Sequence, residues 1–347
     1  MCSHLTGLLR AVAALGAISF VSASHADELR LESATLPAPL WEGGKVNVVI
    51  EASGVEPIGD GRRLLIAHDK APALFVVDAA SGRIMGAPIT SPRFPQLNGV
   101  GPKWEGMARD ADGNYYLIGA HNGKTDQERA TKSVLIRFRI KDGDLPSIDD
   151  ASIVRWDVAR SLEAVLKAEG LAAEQVAKRK VEGLAVRELK AAGGSVRREL
   201  LIGLREPDDK VRVFAADIST SPSSDAELEL KPAFAFVAEP REGVTSQLTS
   251  LEYVPALGGF LVVTASEDGA NAFHGNILWF VADGETGRAR KVATFEVAMK
   301  AEGLAILGVE KTAERTAVRL LITYDNDPHA TKIPSRFQTA TLIRESR

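Results

Sequence analysis

A two-part unit recurs along this chain at irregular intervals, and it constrains the fold more than any other feature of the sequence. Three copies open with a turn of the form Glu-Gly-apolar, the fourth has lost the glycine, and the first has Ser in place of Glu. Each copy continues, further along, with an apolar run that ends in two polar residues. The five openings are Ser53-Gly54-Val55, Glu105-Gly106-Met107, Glu182-Gly183-Leu184, Leu251-Glu252-Tyr253 and Glu302-Gly303-Leu304. The five polar pairs are His68-Asp69, His121-Asn122, Arg205-Glu206, Ser266-Glu267 and Asp325-Asn326. A self-similar unit of this kind indicates an architecture of repeats.

Each unit contains enough short apolar runs for a small antiparallel sheet. A third run follows every polar pair, and a fourth run follows in the first four units. Four short strands joined by turn-rich connections are typical of a propeller, so the sequence predicts an all-β propeller of five blades, with six as the alternative. The fifth unit lacks its last strand, which 45–50 would supply from the N-terminal side. Residues 158–178 instead place Leu and Val at helical spacing and predict a helical insertion.

The first residues have the pattern of a secretory leader. One cation, Arg10, precedes an uncharged apolar stretch, and the small residues Ser24 and Ala26 stand where a signal peptidase cuts. We therefore expect a signal peptide over 1–26 and a single propeller domain over 27–347, located in the periplasm or secreted. The apolar stretch is too short to anchor the chain, and no other segment predicts a membrane span.

Cysteine content and charge narrow the possible functions. The only cysteine, Cys2, lies in the leader, so the mature chain is expected to have no disulfide and to depend on its core for stability. The chain has 42 Lys and Arg against 46 Asp and Glu, a formal net charge of −4. Nucleic-acid binding requires a basic surface, so nucleic acid is not an expected partner.

The polar residues of the repeat are expected to meet at one end of the ring. In an antiparallel blade, the start of the innermost strand and the end of the second strand share one face. The inner column of this mouth consists of Ser53, Glu105, Glu182, Glu252 and Glu302. The column just outside it consists of His68, His121, Arg205, Ser266 and Asp325. The outer column varies between blades, as expected of a binding or catalytic site.

The glutamates of the inner column have two interpretations. Clustered carboxylates are the ligands that calcium prefers, and without a cation they repel one another. A divalent cation, most simply Ca²⁺, would then be bound by Glu105, Glu182, Glu302 and Asp325. Alternatively, each Glu accepts hydrogen bonds from backbone N–H groups of the next blade while the glycine permits a tight turn.

Two histidines and an arginine are the candidate catalytic residues. His68 and His121 occupy the same position in consecutive units, which suits a general base or a metal ligand, and Arg205 suits an anionic group. Alternatively, the histidines are half-exposed loop residues bonded to neighbouring carboxylates. A serine nucleophile is not expected, because the sequence contains no Gly-x-Ser-x-Gly elbow.

The order of these motifs resembles that of a bacterial secreted propeller family known as a domain of unknown function. The motifs that carry the resemblance are Trp104-Glu105-Gly106-Met107, Gly119-Ala120-His121, Glu182-Gly183-Leu184, Gly203-Leu204-Arg205-Glu206-Pro207 and Tyr324-Asp325-Asn326-Asp327. The resemblance covers most of the mature chain and implies a propeller without an assigned activity. More remotely, the Glu-Gly turns are similar to those of the esterase-like phytase and the gluconolactonase and regucalcin propellers, where such a Glu binds a divalent metal. Here Met or Leu follows the glycine instead of Pro.

These observations support two functional hypotheses. In the first, the protein hydrolyses an ester or phosphoester of a small-molecule or anionic substrate, with the divalent cation activating water or polarising the substrate oxygen. Arg205 and His121 would steady the anionic group, and His68 would transfer the proton. In the second, the protein is not an enzyme, and the same mouth binds a peptide, a glycan or a partner protein. Propellers perform both kinds of function, so the fold does not choose between them.

Overall fold

The structure is a computed structural model that describes 29–40, 50–94, 102–123, 125–141, 143–190, 194–220, 222–269, 272–295, 299–325 and 334–346, without the side chains of Asp126 and Glu206. The expected leader, 1–26, lies outside the described residues. Most of the described chain is β-strand, as the sequence predicts.

The strands are short and follow one another closely along the chain. In chain order they are β1 (Arg30–Ala34), β2 (Ala38–Pro39), β3 (Ala52–Ile58), β4 (Arg63–His68), β5 (Leu74–Asp78), β6 (Trp104–Arg109), β7 (Asn114–Gly119), β8 (Leu135–Lys141), β9 (Ser147–Asp157), β10 (Lys180–Lys190), β11 (Val196–Glu206), β12 (Lys210–Asp217), β13 (Ala226–Glu227), β14 (Leu230–Val237), β15 (Ser246–Val254), β16 (Gly259–Glu267), β17 (Phe273–Ala282), β18 (Arg290–Phe295), β19 (Lys300–Lys311), β20 (Arg315–Asp325) and β21 (Arg336–Glu345).

Helices are few and short. They are α1 (Asp126–Lys132), α2 (Ala159–Ala168) and α3 (Ala173–Ala177). The last two fall within 158–178, which confirms the predicted helical insertion. Among the described residues, no helix has the length and apolar character needed to cross a membrane.

The strands form five sheets arranged as the blades of a propeller. Blade 1 is β3-β4-β5, blade 2 is β6-β7-β8-β9, blade 3 is β10-β11-β12-β14, blade 4 is β15-β16-β17-β18, and blade 5 is β19-β20-β21-β1. The innermost strands β3, β6, β10, β15 and β19 each contact the next and close into a ring. The prediction of five blades is confirmed, and the six-bladed alternative is wrong.

Blade 5 contains strands from both ends of the described chain. β1 pairs antiparallel with β21, with Arg30 opposite Ile343 and Ala34 opposite Ala340. The sequence assigned this position to 45–50, of which 45–49 lie outside the described residues, but the strand that occupies it is β1. Because the first and last strands share a sheet, the ring cannot open without breaking that sheet.

Blade 1 is the least complete blade. It has three strands, and the run over 84–89 makes only two isolated bridges, Val77 to Ile84 and Leu74 to Ile89. The fourth strand expected there is therefore reduced to bridge contacts.

The hydrophobic core lies between neighbouring blades. One cluster joins Tyr116 and Ile118 of blade 2 to Leu200 of blade 3, and Leu162 and Leu166 of α2 pack against it. These two leucines are four residues apart and so lie on one face of the helix. Helix α2 thus covers the seam between blades 2 and 3 and does not form a separate layer.

The glycine of the repeated Glu-Gly motif allows the innermost strands to approach one another. A Cβ atom added at Gly54 would lie 2.5 Å from the backbone nitrogen of Met107 in the next blade, and one at Gly303 would lie 2.5 Å from the carbonyl oxygen of Ser53. Neither glycine has a left-handed φ. The tight-turn role suggested by the sequence is therefore wrong, and close packing between blades explains the glycine.

Candidate functional site

A β-bulge near the start of each innermost strand determines which residues share a level in the ring. In blades 2, 3 and 5 the strand register shifts at one residue, which is Glu105, Glu182 and Glu302 respectively. In blade 4 the shift falls between Leu248 and Ser250, so the counterpart is Thr249. Glu252 lies further along β15, and its assignment to the inner column of the mouth was out of register.

A lysine stands two residues before each of the three mouth glutamates. The three motifs are Lys103-Trp104-Glu105-Gly106, Lys180-Val181-Glu182-Gly183 and Lys300-Ala301-Glu302-Gly303. Residues two apart on a strand point to the same face, and each lysine pairs with the glutamate of its own motif. These lysines were not among the predicted site residues, although the repeated Lys-x-Glu-Gly pattern marks them in the sequence.

The lysines belong to a longer chain of alternating charges that visits all five blades, which we call the mouth network. Successive members are joined by N–O distances of at most 3.7 Å. In order, the members are Glu51, Lys70, Asp69, Lys103, Glu105, Lys180, Glu182, Arg205, Glu267, Lys300 and Glu302. Ion pairs with lysine and arginine, rather than backbone N–H groups, therefore hold the glutamates between blades.

Arg205 connects blades 3 and 4 within the mouth network. Its Nη1 donates to Glu182 Oε1 at 2.9 Å, its Nη2 to Glu267 Oε2 at 2.7 Å, and its Nε to Gln247 Oε1 at 3.2 Å. The charge of Glu182 raises the pKa of Arg205, which stays a permanent cation. The guanidinium is already surrounded by acceptors of the protein itself, so its present partners would have to move before it could hold an anionic substrate.

The pKa values of two glutamates of the network are shifted in opposite directions. Burial alone would raise the pKa of Glu182, but Arg205, Lys180 and Lys300 outweigh burial, so its pKa lies well below the ordinary value. Burial raises the pKa of Glu302 and outweighs the opposing charge of Lys300, while repulsion from Glu182 and Glu105 raises it further. Glu182 has more cations around it than Glu302, which explains the opposite directions.

The residues assigned to a divalent cation do not have the arrangement of a cation site. The carboxylates of Glu105, Glu182 and Glu302 are neutralised by lysine and arginine. Asp325 instead accepts a hydrogen bond from Ser335 Oγ at 3.4 Å. In the described part of the chain, no three His, Cys, Asp or Glu side chains are grouped to hold a metal ion. A calcium ion at the mouth would have to displace ammonium groups, so these residues do not fit it.

His68 lies beside the mouth network. It is buried, its Nδ1 accepts a hydrogen bond from the backbone N–H of Lys70 at 3.2 Å, and its ring centroid lies 5.7 Å from that of Phe75. The Nδ1 atom therefore stabilises the turn that carries Asp69 and Lys70 into the network.

His121 is separated from the mouth network, despite its equivalent place in the repeat. It is completely buried, and neither ring nitrogen has a hydrogen-bond partner among the described residues. Burial, reinforced by the nearby charge of Arg179, lowers the pKa of His121 to about 3. A neutral, enclosed imidazole of this kind does not steady an anion beside Arg205, and the half-exposed interpretation is wrong for both histidines.

Several buried oxygens at the mouth have no hydrogen-bond partner within the described residues. They are Ser53 Oγ, Asp69 Oδ1, Glu182 Oε2 and Thr323 Oγ1. Ser53 and Thr323 both lie against Gly303, where blades 5 and 1 meet. Buried polar groups are almost always hydrogen-bonded, so this set indicates a place where water or a ligand completes the structure.

Comparison with known proteins supports only a coarse assignment. No protein-family model matches the sequence, and no curated protein is similar to it. The family resemblances drawn from the motifs therefore gain no support from sequence comparison.

Similar solved structures exist at low sequence identity. A PQQ-bound aldose sugar dehydrogenase from Streptomyces coelicolor is 12% identical with a TM-score of 0.45, over 90% of this chain and 98% of that one. An exo-β-1,3-galactanase from Phanerochaete chrysosporium, solved with β-1,3-galactotriose, is 8% identical with a TM-score of 0.49, over 89% of this chain and 64% of that one. The β-propeller domain of Cps50 (Swd1) from Myceliophteria thermophila is 8% identical with a TM-score of 0.37, over 83% and 96% of the two chains. None of these similarities is strong enough to transfer a function.

Proposed function

We propose that the protein is an exported propeller that binds a glycan at the mouth network. The observation that carries this proposal is the set of buried oxygens without partners, Ser53 Oγ, Asp69 Oδ1, Glu182 Oε2 and Thr323 Oγ1. Leaving a buried acceptor without a donor costs about 1–3 kcal/mol for each group. A ligand that brings several donors into the mouth therefore gains binding energy at each of them.

The charges of the mouth favour an uncharged ligand. The mouth network has six carboxylates and five cations, each next to a group of opposite sign. An anion or cation would have to break existing pairs, and breaking a buried pair is costly. Sugar hydroxyls both donate and accept hydrogen bonds without adding charge. Each lysine ammonium group has three N–H donors and could donate hydrogen bonds to the oxygen atoms of the sugar hydroxyls.

Two hydroxyl deletions test glycan binding. Ser53→Ala and Thr323→Val remove one hydroxyl each with little change in volume. We expect either to weaken binding of a glycan, selected from an array of neutral oligosaccharides and titrated by calorimetry, about tenfold, or roughly 1.4 kcal/mol. The matched control is Thr294→Val on β18, the outermost strand of blade 4. Retention of wild-type affinity by both mouth variants, or an array without any bound glycan, contradicts the proposal.

Hydrolysis of the bound ligand is a second candidate, favoured by the opposite pKa directions of two carboxyls in one site. Glu302 has a raised pKa and suits a proton donor, whereas Glu182 has a lowered pKa and suits an ionised partner. Glu302 would protonate the leaving oxygen of a glycoside or a carbohydrate ester while Glu182 assists the attacking water. This assignment replaces the metal-dependent ester or phosphoester hydrolysis expected from the sequence.

Turnover and binding separate the two candidates. If the protein is an enzyme, Glu302→Gln should reduce kcat at least a hundredfold while substrate still binds, and chelation of divalent cations should not reduce activity. The conservative variant Glu302→Asp should retain part of the rate. If the wild-type protein binds a glycan but does not hydrolyse it, the protein is a binding protein and not a hydrolase of that glycan.

Export belongs to the same proposal. The leader predicts that the mature chain begins at Asp27, after cleavage following Ala26. N-terminal sequencing of protein recovered from the periplasm or medium tests this expectation. A full-length chain that starts at Met1 and stays in the cytoplasm contradicts it.

A further inference from the structure

A second polar cleft lies on the β9 side of blade 2. None of its lining residues belongs to the mouth network, although Arg179 directly precedes the network member Lys180. Its volume is about 460 Å³, and it lies between α1, β9 and the segment that leads into β10. Three arginines from these three elements line it, namely Arg129, Arg155 and Arg179. The cleft thus collects cations that are far apart in the sequence.

Arg179 is a buried cation without an ion-pair partner among the described residues. The carboxylate whose charge acts on it, Glu163, is itself paired with Lys167 at 2.6 Å. The residue is 7% exposed, its Nη1 donates to the carbonyl oxygen of Val176 at 2.9 Å, and its Nε has no partner among the described residues. No ion pair joins it to a carboxylate in that part of the chain. Burial lowers the pKa of Arg179, which reflects the cost of keeping this charge away from water. Buried charges in folded proteins are normally paired, so an anion bound in the cleft would compensate the charge of Arg179.

The carboxylates near the cleft do not supply that anion. Asp157 Oδ1 accepts the backbone N–H of Ala159 at 2.8 Å at the start of α2. Asp225 is solvent-exposed on a left-handed turn. Neither aspartate forms an ion pair with a described arginine, and Arg155 is itself exposed without such a pair. The lining contains three guanidiniums and two carboxylates.

We propose that this cleft binds a phosphate group, either free or as part of a phosphate ester, with Arg179 at its floor and Arg155 at its rim. Guanidinium groups match phosphate oxygens through paired N–H donors. Three arginines from separate elements suit the four oxygens of a tetrahedral anion better than the two of a carboxylate. This site is independent of the proposed glycan site.

Anion titration tests the cleft. Inorganic phosphate, glycerol phosphate and acetate are titrated into the full chain by calorimetry at constant ionic strength set with chloride, with the melting temperature followed in parallel. We expect phosphate to bind and to raise the melting temperature, because a ligand bound only by the folded state stabilises it. Tighter binding of glycerol phosphate than of phosphate identifies an ester as the ligand, and the reverse identifies the free anion. Absence of phosphate binding, or acetate binding as tightly as phosphate, overturns the proposal.

Two substitutions locate the binding. Arg155→Ala changes an exposed residue and should weaken phosphate binding at least tenfold while the chain folds normally and binds glycan as before. The matched control is Arg160→Ala on α2, whose arginine pairs with Glu227 outside the cleft and should leave affinity unchanged. Equal loss of affinity in both variants shows only non-specific attraction and overturns the proposal.

Arg179→Met supplies a measurement that a purely structural arginine would not give. It should abolish phosphate binding, yet leave the melting temperature without phosphate equal to or above that of the wild type, because an unpaired buried charge is removed. A lower melting temperature together with unchanged phosphate binding shows that Arg179 is structural and contradicts the site. If this variant does not fold, Arg155→Ala and its control decide alone.

Discussion

Two sets of glutamates on the innermost strands differ in their neighbours, and their chemistry differs accordingly. The mouth set, Glu105, Glu182 and Glu302, lies within a continuous network of lysines and an arginine. The channel set, Glu56 and Glu252, has no ion pair among the described residues. These two glutamates belong to blades 1 and 4, which are not neighbours, so they face each other across the central channel.

The channel set consists of a buried acid, Glu56, and a half-buried acid, Glu252, neither of which forms an ion pair with a described residue. Burial raises the pKa of Glu56 to about 8, although Arg109 opposes it. Burial and then repulsion from Glu56 raise the pKa of Glu252 well above its ordinary value. The comparison with Glu182, whose pKa is lowered by cations, shows that neighbouring charges rather than depth decide the charge state.

Removing the lysine that bridges two mouth glutamates should have the largest effect. Lys180 Nζ pairs with Glu182 and lies 3.3 Å from Glu105 Oε1. Lys180→Met therefore leaves buried carboxylates with fewer cations and should lower the free energy of unfolding by about 3 kcal/mol. Urea denaturation measures it, and Lys180→Arg is the control that keeps the charge. A loss no greater for Met than for Arg would show that the pairing contributes nothing.

Neutralising a channel glutamate should have the opposite sign. The folded-state pKa of Glu56, about 8, lies above its ordinary value of 4.5, so its contribution to stability is lost as the pH rises from 4.5 towards 8. Glu56→Gln should raise the free energy of unfolding at neutral pH by up to about 3 kcal/mol and flatten this pH dependence.

The control for this effect is an exposed carboxylate. Glu229 is 80% exposed beside Lys231, so Glu229→Gln should change neither stability nor its pH dependence. Destabilisation of Glu56→Gln across the whole range would mean that Glu56 is ionised and needed in that form.

The stability contribution of His121, a buried base without a hydrogen-bond partner among the described residues, should have a pH dependence opposite to that of the channel acids. The pKa of His121 falls from 6.5 to about 3 on folding, so its contribution to stability is lost as the pH drops below 6.5. At about pH 4.5 the wild type should have lost about 2 kcal/mol more than His121→Asn, measured relative to neutral pH. Asparagine tolerates the left-handed φ of 54° at this position. Parallel pH profiles for the two proteins would contradict an unpaired imidazole.

The exposed end of the mouth network should show the smallest effect. Lys70 pairs with the buried Glu51 at 2.6 Å, but its own side chain is 52% exposed. Because water reaches the Lys70 ammonium and screens the pair, Lys70→Met should lower the free energy of unfolding by about 1 kcal/mol, less than Lys180→Met. A loss of unfolding free energy as large as that of Lys180→Met would show that the network is cooperative, and that the burial of each pair does not set its contribution.

Local pattern was enough to predict the repeat, but it did not give the register of blade 4. Glycine and glutamate mark the bulge in blades 2, 3 and 5, whereas blade 4 carries Thr249 and Ser250 there. Glu252 is the nearest Glu in that blade, so the sequence pattern aligned it with Glu105, Glu182 and Glu302. Only the pairing of β15 with β16 placed it in the channel.

The two histidines also show that a local sequence pattern does not predict the surroundings of a side chain. His68 and His121 end equivalent strands in the repeat. In the folded chain His68 bonds the turn beside the mouth network, and His121 is enclosed near Arg179. Equivalent positions in a repeat guarantee a similar backbone, but the loops that follow each strand differ and decide what surrounds the side chain.

The sequence by itself determined the all-β repeat and its five units, because strand periodicity and repeated motifs are local properties of the chain. The role of the glycines in close packing between blades was visible only in the structure. Only the tertiary structure decided which lysine neutralises which glutamate, that the described residues of the mouth form no calcium-type cage, and that Arg129, Arg155 and Arg179 share one cleft. Pairing energies depend on distances between blades and on burial, and neither quantity is encoded by spacing along the sequence.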